Sequence, residues 1–210
     1  MKNIAFLFFL ISIVACQFDA PDKTHTPKVV DASKEIFNWT CIPDKKIGLI
    51  EKGFTEGDII KAYGVENVSR KEVGLGEGAI TNATVIFPNT ENELAIIWEV
   101  AQPYKVIEQI LIDHPDASWT TNQGIGIGTT LEELVKINGK DFQFAGFEWD
   151  YSGYANAWEN GTIPQSVVVY LEPSNPEAVY PDLLGDGLFS SNHPKAKMAG
   201  LKVRSLTFKF

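Results

Sequence analysis

An α+β fold is predicted, built as two tandem repeats that share one curved sheet. Three observations point to it. A helix signature occurs twice, Ile50 to Gly64 and Ile125 to Gly139, at a constant offset of 75 residues. Runs rich in β-branched and aromatic residues follow each copy, and no second long apolar run occurs after the first. The composition, 44% apolar and 21% charged over 210 residues, suits a globular chain with a sizeable core.

The chain opens on Met1-Lys2-Asn3 and an apolar run from Ile4 to Val14, interrupted only by Ser12. A helix spanning about 30 Å of hydrocarbon needs roughly 20 apolar residues, so residues 1–15 are predicted to be a signal peptide. The run ends in Ile13-Val14-Ala15-Cys16, which resembles the lipobox of bacterial lipoproteins. That resemblance implies cleavage before Cys16, with diacylglyceryl on its thiol and a fatty acid such as palmitate on its new amine. Gln17, where an inner-membrane protein would carry Asp, implies outer-membrane sorting, on the periplasmic or surface side. Residues 16–35 are polar, carry Pro21 and Pro27, and are predicted to be a lipidated flexible tether. Removing residues 1–15 removes Lys2 and no acid, leaving 17 bases against 27 acids. Such a charge argues against binding nucleic acid or anionic lipid headgroups.

Repeat 1 is predicted over 36–115 and repeat 2 over 116–210. In the helix signatures Gly53, Thr55, Lys61 and Gly64 recur as Gly128, Thr130, Lys136 and Gly139. Thr55 with Asp58, and Thr130 with Glu133, have the spacing of a capping box, and each acid lies at the positive end of the helix dipole. Ile59, Ile60 and Tyr63 form one apolar face, and Leu131, Leu134 and Val135 form the other. Helices of two or three turns do not persist alone, so each must lie on a sheet. Strands are predicted at Thr84–Phe87, Leu94–Val100, Tyr104–Ile112, Gln143–Tyr151, Gln165–Leu171 and Leu201–Phe210, with turns at Asn89–Asn92 and Gln102-Pro103. Alternation slips at Ser205, which predicts a bulge. Residues 173–200, with four of the eleven prolines, are predicted to be a long inserted loop.

A Gly-x-Thr-x-x-acid helix, a terminal Gly and antiparallel strands together resemble a small module. It occurs singly in the accessory lipoprotein of the outer-membrane β-barrel assembly machinery and as a tandem pair in β-lactamase inhibitor protein. The resemblance rests on Gly53 to Gly64 and Gly128 to Gly139, with Phe54 and Thr129 standing where that family usually has Met. It implies a binding or scaffolding role without catalysis.

No constellation of residues requires chemistry. Cys41 has no Cys-His signature around it, and a core position is the favoured reading. His25, His114 and His193 lack metal-ligand spacing, so no metal or cofactor is predicted. Gly74–Gly78 and Gly124–Gly128 are glycine-rich, but no Gly-Lys-Ser/Thr follows either. Asp182 and Asp186-Gly187 fail the twelve-residue calcium pattern. The unusual stretch is Phe142 to Trp158. Trp149, Tyr151, Tyr154 and Trp158, beside Glu148, Asp150 and Glu159, are the candidate binding surface. The functional expectation is a non-catalytic envelope lipoprotein that binds a protein partner. The alternative is a binder of a small ligand or glycan, and a hydrolase ranks last. A flat aromatic patch would favour a protein, and a pocket with polar groups a small ligand. A cleft pairing Glu148 or Asp150 with another acid would favour an enzyme.

Overall fold

The computed structural model describes residues 38–76, 78–175 and 180–210. The expected signal peptide 1–15, Cys16 and the tether 16–35 lie outside the described residues. The first part of the chain forms β1 (Thr40–Ile42), β2 (Lys46–Ile47), β3 (Ile50–Glu51), α1 (Glu56–Tyr63), β4 (Val68–Gly76), β5 (Ala79–Ile86), β6 (Leu94–Trp98) and β7 (Ile107–Ile112). The second forms β8 (Thr120–Thr121), α2 (Leu131–Asn138), β9 (Gln143–Ala145), β10 (Tyr154–Ala155), β11 (Val167–Glu172), β12 (Leu188–Ser190), α3 (Pro194–Ala199) and β13 (Lys202–Lys209). The fold is α+β and dominated by sheet.

Both predicted helices start on their capping boxes. The Thr55 hydroxyl accepts from the Asp58 amide, and the Asp58 carboxylate accepts from the Thr55 amide at 2.9 Å. Thr130 and Glu133 repeat this. Gly139 ends α2 in the left-handed conformation (φ 72°, ψ 3°), which glycine adopts without strain. Gly64 ends α1 differently (φ 85°, ψ 143°), leading into a 3-10 turn at Val65–Asn67.

Seven antiparallel strands form the main sheet in the order β10-β11-β13-β7-β6-β5-β4. One face meets the helices. Ile59 and Tyr63 of α1, and Leu131 and Leu134 of α2, are buried in the same cluster as Ile86, Ile96, Ile110, Val169 and Leu206 of the sheet. The opposite face carries a smaller cluster of Ala83, Val85, Ala95 and Ile97, with Val73 and Leu111 against it. The helices α1, α2 and α3 all bury side chains in the larger cluster, leaving this second face without a helix among the described residues.

The β4–β5 hairpin outgrows the sheet. β4 pairs with β5 from Val68/Ile86 out to Gly76/Ala79, whereas β6 pairs with β5 only from Thr84 to Ile86. Beyond Ala83 the hairpin is therefore a two-stranded arm.

Several expectations are corrected. The strand expected at Gln143–Tyr151 stops at Ala145. There the Gly146 and Phe147 amides turn to the Gly187 and Leu183 carbonyls, and Glu148 takes a positive φ of 63°. The strand expected to begin at Tyr104 begins at Ile107, because Tyr104 itself is a turn residue with φ 63°. Residues 173–200 are not a plain loop. They contain a 3-10 turn (Pro181–Leu183), β12 and α3, and Leu183, Ala196 and Ala199 enter the core. Strand β4 was not predicted, because Ser69, Arg70, Lys71 and Glu72 give it a polar edge. The slip expected at Ser205 is present: Tyr170 pairs with Ser205 and Leu171 with Val203, leaving Arg204 as the extra residue.

Candidate functional site: a cleft on the open face of the sheet

The helix-free face is concave, with a cleft of about 450 Å³. Its floor comes from β6, β7 and β13. Ile97 and Leu111 supply apolar surface, and Gln109, Ser205 and Thr207 supply polar groups. One wall is Gly74-Leu75-Gly76 of the arm. Since β6 and β7 lie between the arm's strands and β13, the arm reaches across the open face to close that side. Tyr170, Arg204 and Asp150 form the facing wall, and Asp113 also lines the cleft.

The bulge builds that wall. Two residues of a bulged strand oppose one on its partner, so Arg204 and Ser205 both stand at Tyr170. The Arg204 guanidinium lies 5.8 Å from the Tyr170 ring centroid, a cation–π contact. Tyr170 continues a row of edge-to-face rings: Tyr170–Tyr154 at 5.4 Å, Tyr154–Tyr151 at 6.2 Å and Tyr151–Trp149 at 5.3 Å. Burial raises the Tyr170 hydroxyl pKa above its ordinary value. Tyr154 and Tyr151 add to the rise, and Arg204 opposes it.

The loop carrying Trp149 and Asp150 is pinned. Trp149 Nε1 donates to the Gly146 carbonyl at 2.9 Å, and Ser152 Oγ donates to the Trp149 carbonyl at 2.6 Å. Gly153 has a φ of 73°, and a Cβ there would stand 2.1 Å from the Leu171 carbonyl oxygen, so only glycine fits.

Three of the four expected surface residues thus come together: Trp149, Tyr151 and Tyr154. Trp158 does not. It is fully buried in the main core, its ring 4.9 Å from Phe142, and its Nε1 donates to the Val167 carbonyl at 2.9 Å. Tyr170, Arg204, Gln109, Asp113, Ser205 and Thr207 were missed. The phase slip at Ser205 was the one local signal for this region, and it marked the bulge without showing which face it served.

The cleft's polar side chains are uncommitted. Gln109, Asp150, Ser205, Thr207 and the Tyr170 hydroxyl make no hydrogen bond to protein among the described residues, and Arg204 has only its ring contact. Ser205 and Thr207 are 5% and 7% exposed. By contrast Arg70, the chain's other arginine, is spent on structure: its guanidinium pairs with both Glu56 oxygens and lies 3.9 Å from the Tyr104 ring centroid.

The other candidates are structural. Cys41 is fully buried, and burial pushes its thiol pKa far up, away from nucleophilic use. His193 Nδ1 accepts from the Lys195 amide at the start of α3, and His114 Nδ1 from the Asp116 amide. His25 lies outside the described residues. The Gly126 amide donates to Thr129 Oγ1, inside the strand-to-helix turn. Asp182 faces Lys195 at 3.7 Å. Glu148 and Glu159 are positive-φ turn residues and do not line the cleft. No group of three or more metal-ligating side chains occurs among the described residues. No described helix is long and apolar enough to cross a membrane. Comparison with protein-family models, curated proteins and solved structures finds no match to the chain.

Proposed function

We propose that the chain is a non-catalytic lipoprotein of the cell envelope, tethered through acylated Cys16, that binds a small ligand in the cleft on the open face of its sheet. The observation carrying this reading is the polar lining. Six side chains able to donate or accept converge in a concave site, beside the apolar surface of Ile97 and Leu111, without hydrogen bonds to the protein among the described residues, and convergent polar groups of this kind are what orient a bound ligand. Two of them, Ser205 and Thr207, are 5% and 7% exposed as residues and line the cleft, so their hydroxyls are open to whatever occupies it.

The protein-partner reading stands second. Tyr151, 40% exposed, and Trp149 sit on the rim with Arg204 nearby, a hot-spot composition. A hydrolase has one point in its favour, since Asp113 and Asp150 share the cleft. Both are exposed, however, whereas a glycosidase sets its acid apart from its partner carboxylate by an apolar pocket.

The tandem-repeat origin belongs to the same proposal. The capping boxes support it. So do two matching contacts at the first helical residue: the Glu56 amide donates to the Tyr104 carbonyl and the Leu131 amide to the Leu201 carbonyl, each shortly before β7 or β13. Those two strands lie side by side in the sheet, flanked by β6-β5-β4 on one side and β11-β10 on the other.

The test is a thermal-shift screen of small molecules on the full-length protein in detergent, with Tyr170→Ala and Arg204→Ala in parallel. Hits that raise Tm only when Tyr170 and Arg204 are present support the reading. An absence of hits, or hits indifferent to both substitutions, sinks it. Labelling cells with tagged palmitate checks the anchor: wild type takes up label and Cys16→Ser does not.

A further inference from the structure

We infer that the ligand of the open-face cleft is a short neutral carbohydrate, lying between the β4–β5 arm and the Tyr170–Arg204 wall; this rests on the reading of the cleft as a binding site.

The argument is one of chemical matching. The cleft offers a cation, Arg204, and two carboxylates, Asp113 and Asp150, and its lining also carries the hydroxyls of Ser205 and Thr207. Arg204 can only donate, and ionised Asp can only accept. A ligand that suits both must present donors and acceptors close together. A sugar hydroxyl is both at once, and neighbouring hydroxyls on a ring match the forked geometry of guanidinium and carboxylate. An anion would answer Arg204 but meet Asp113 and Asp150. A cation would do the reverse, and the cleft lacks a ligand set for a metal among the described residues.

The apolar surfaces agree. Sugar rings carry C–H faces as well as hydroxyls, and the cleft pairs the Tyr170 ring with the Ile97 and Leu111 side chains. Its volume, about 450 Å³, falls in the range of small-ligand sites. The arm contributes Gly74 and Gly76, where an added Cβ would meet nothing within 4 Å. Packing therefore does not demand glycine at Gly74, whose φ is unexceptional. Its smallness leaves backbone accessible to a ligand lying along that wall.

The experiment uses the full-length protein in detergent, titrated by calorimetry with maltotriose, cellotriose and chitotriose. Trigalacturonate serves as an acidic sugar and trialanine as a peptide. The variants are Tyr170→Ala, Arg204→Met and Thr207→Val, each checked for folding by circular dichroism, with Leu188→Ala as an exposed control outside the cleft. Saturable binding of at least one neutral trisaccharide is expected. It should weaken about tenfold or more in Tyr170→Ala and Arg204→Met, less in Thr207→Val, and not in Leu188→Ala. A tenfold loss corresponds to about 1.4 kcal/mol. Should Tyr170→Ala fail to fold, Arg204→Met and Thr207→Val carry the test. Preference for trigalacturonate over every neutral sugar overturns the neutral class. Binding of trialanine alone, lost in Arg204→Met, overturns the carbohydrate inference while leaving a binding cleft. If none of these probes binds but the thermal-shift screen yields cleft-dependent hits, the carbohydrate inference falls alone; if neither does, the binding reading falls with it. Cleavage of a bound trisaccharide, read by mass spectrometry, would support the ligand class and overturn the non-catalytic reading.

Discussion

Trp149 and Trp158 belong to one aromatic stretch and end on opposite sides of the sheet. Trp158 fills the core and uses its indole N–H on Val167, while Trp149 stays half-buried on the rim of the cleft. Truncation should separate them. Trp158→Ala is expected to cost about 3–5 kcal/mol, as large-to-small core changes do. Trp149→Ala should cost roughly 1–2 kcal/mol. Urea unfolding of both variants checks this, and equal losses would contradict the placement. Nothing in the local sequence distinguished the two. Which face a Trp takes depended on the turn at Glu148, set by contacts to residues 183–187, and on the reversal that follows it, where Gly153 bonds Ala145 and Leu171. The titration of three acids belongs to the same scale. Arg70 donates to Glu56 and holds its carboxyl below the ordinary range, with help from Thr84. The Thr55 and Thr130 caps lower Asp58 and Glu133 likewise. A folded-state pKa below the unfolded value gives stability that is present above the ordinary carboxylate range and is lost as pH falls through the folded value. Urea midpoints should therefore hold level from neutral pH down to about pH 5 and fall steadily below about pH 4.5. Glu56→Gln should start lower and fall less.

Elements differ in how far their own residues determine them. α1 and α2 were legible because a capping box is local: the donor, the acceptor and the first turn all lie within four positions. Thr55→Ala and Thr130→Ala should each cost about 1 kcal/mol in thermal or urea unfolding, with Thr→Ser close to neutral. The strands β5, β6, β7, β11 and β13 were legible in place if not at every boundary, because alternation and β-branching mark a buried strand. β4 was not, and neither were the short strands β1 to β3. A polar edge strand takes its conformation from the neighbour it pairs with, here β5 along its whole length. The arm beyond Ala83 has lost the support of β6, so its amides should exchange with deuterium well ahead of those in β6 and β7. Protection of Thr81 and Val73 equal to that of Ile96 would show the arm to be as firmly held as the sheet.

At the scale of the whole molecule, strands from both sides of the expected 115/116 boundary interleave. β1 pairs in parallel with β8, joining Thr40 to Thr120, and β7 pairs with β13, joining Ile112 to Leu206. The cleft could not be foreseen for the same reason. Its walls and floor come from residues between 74 and 207, and only the sheet order brings Gly74 opposite Tyr170. That order also governs synthesis. Because β13 lies between β7 and β11, neither half of the sheet can meet the other until Lys202–Lys209 has been made. A nascent chain stalled before Lys202 should be cut rapidly by protease along β7 and β11, and one extended past Lys209 beyond the ribosome exit should resist. Until that strand has emerged the nascent chain is therefore an unfinished sheet in two separate parts, in the state that holdase chaperones accept.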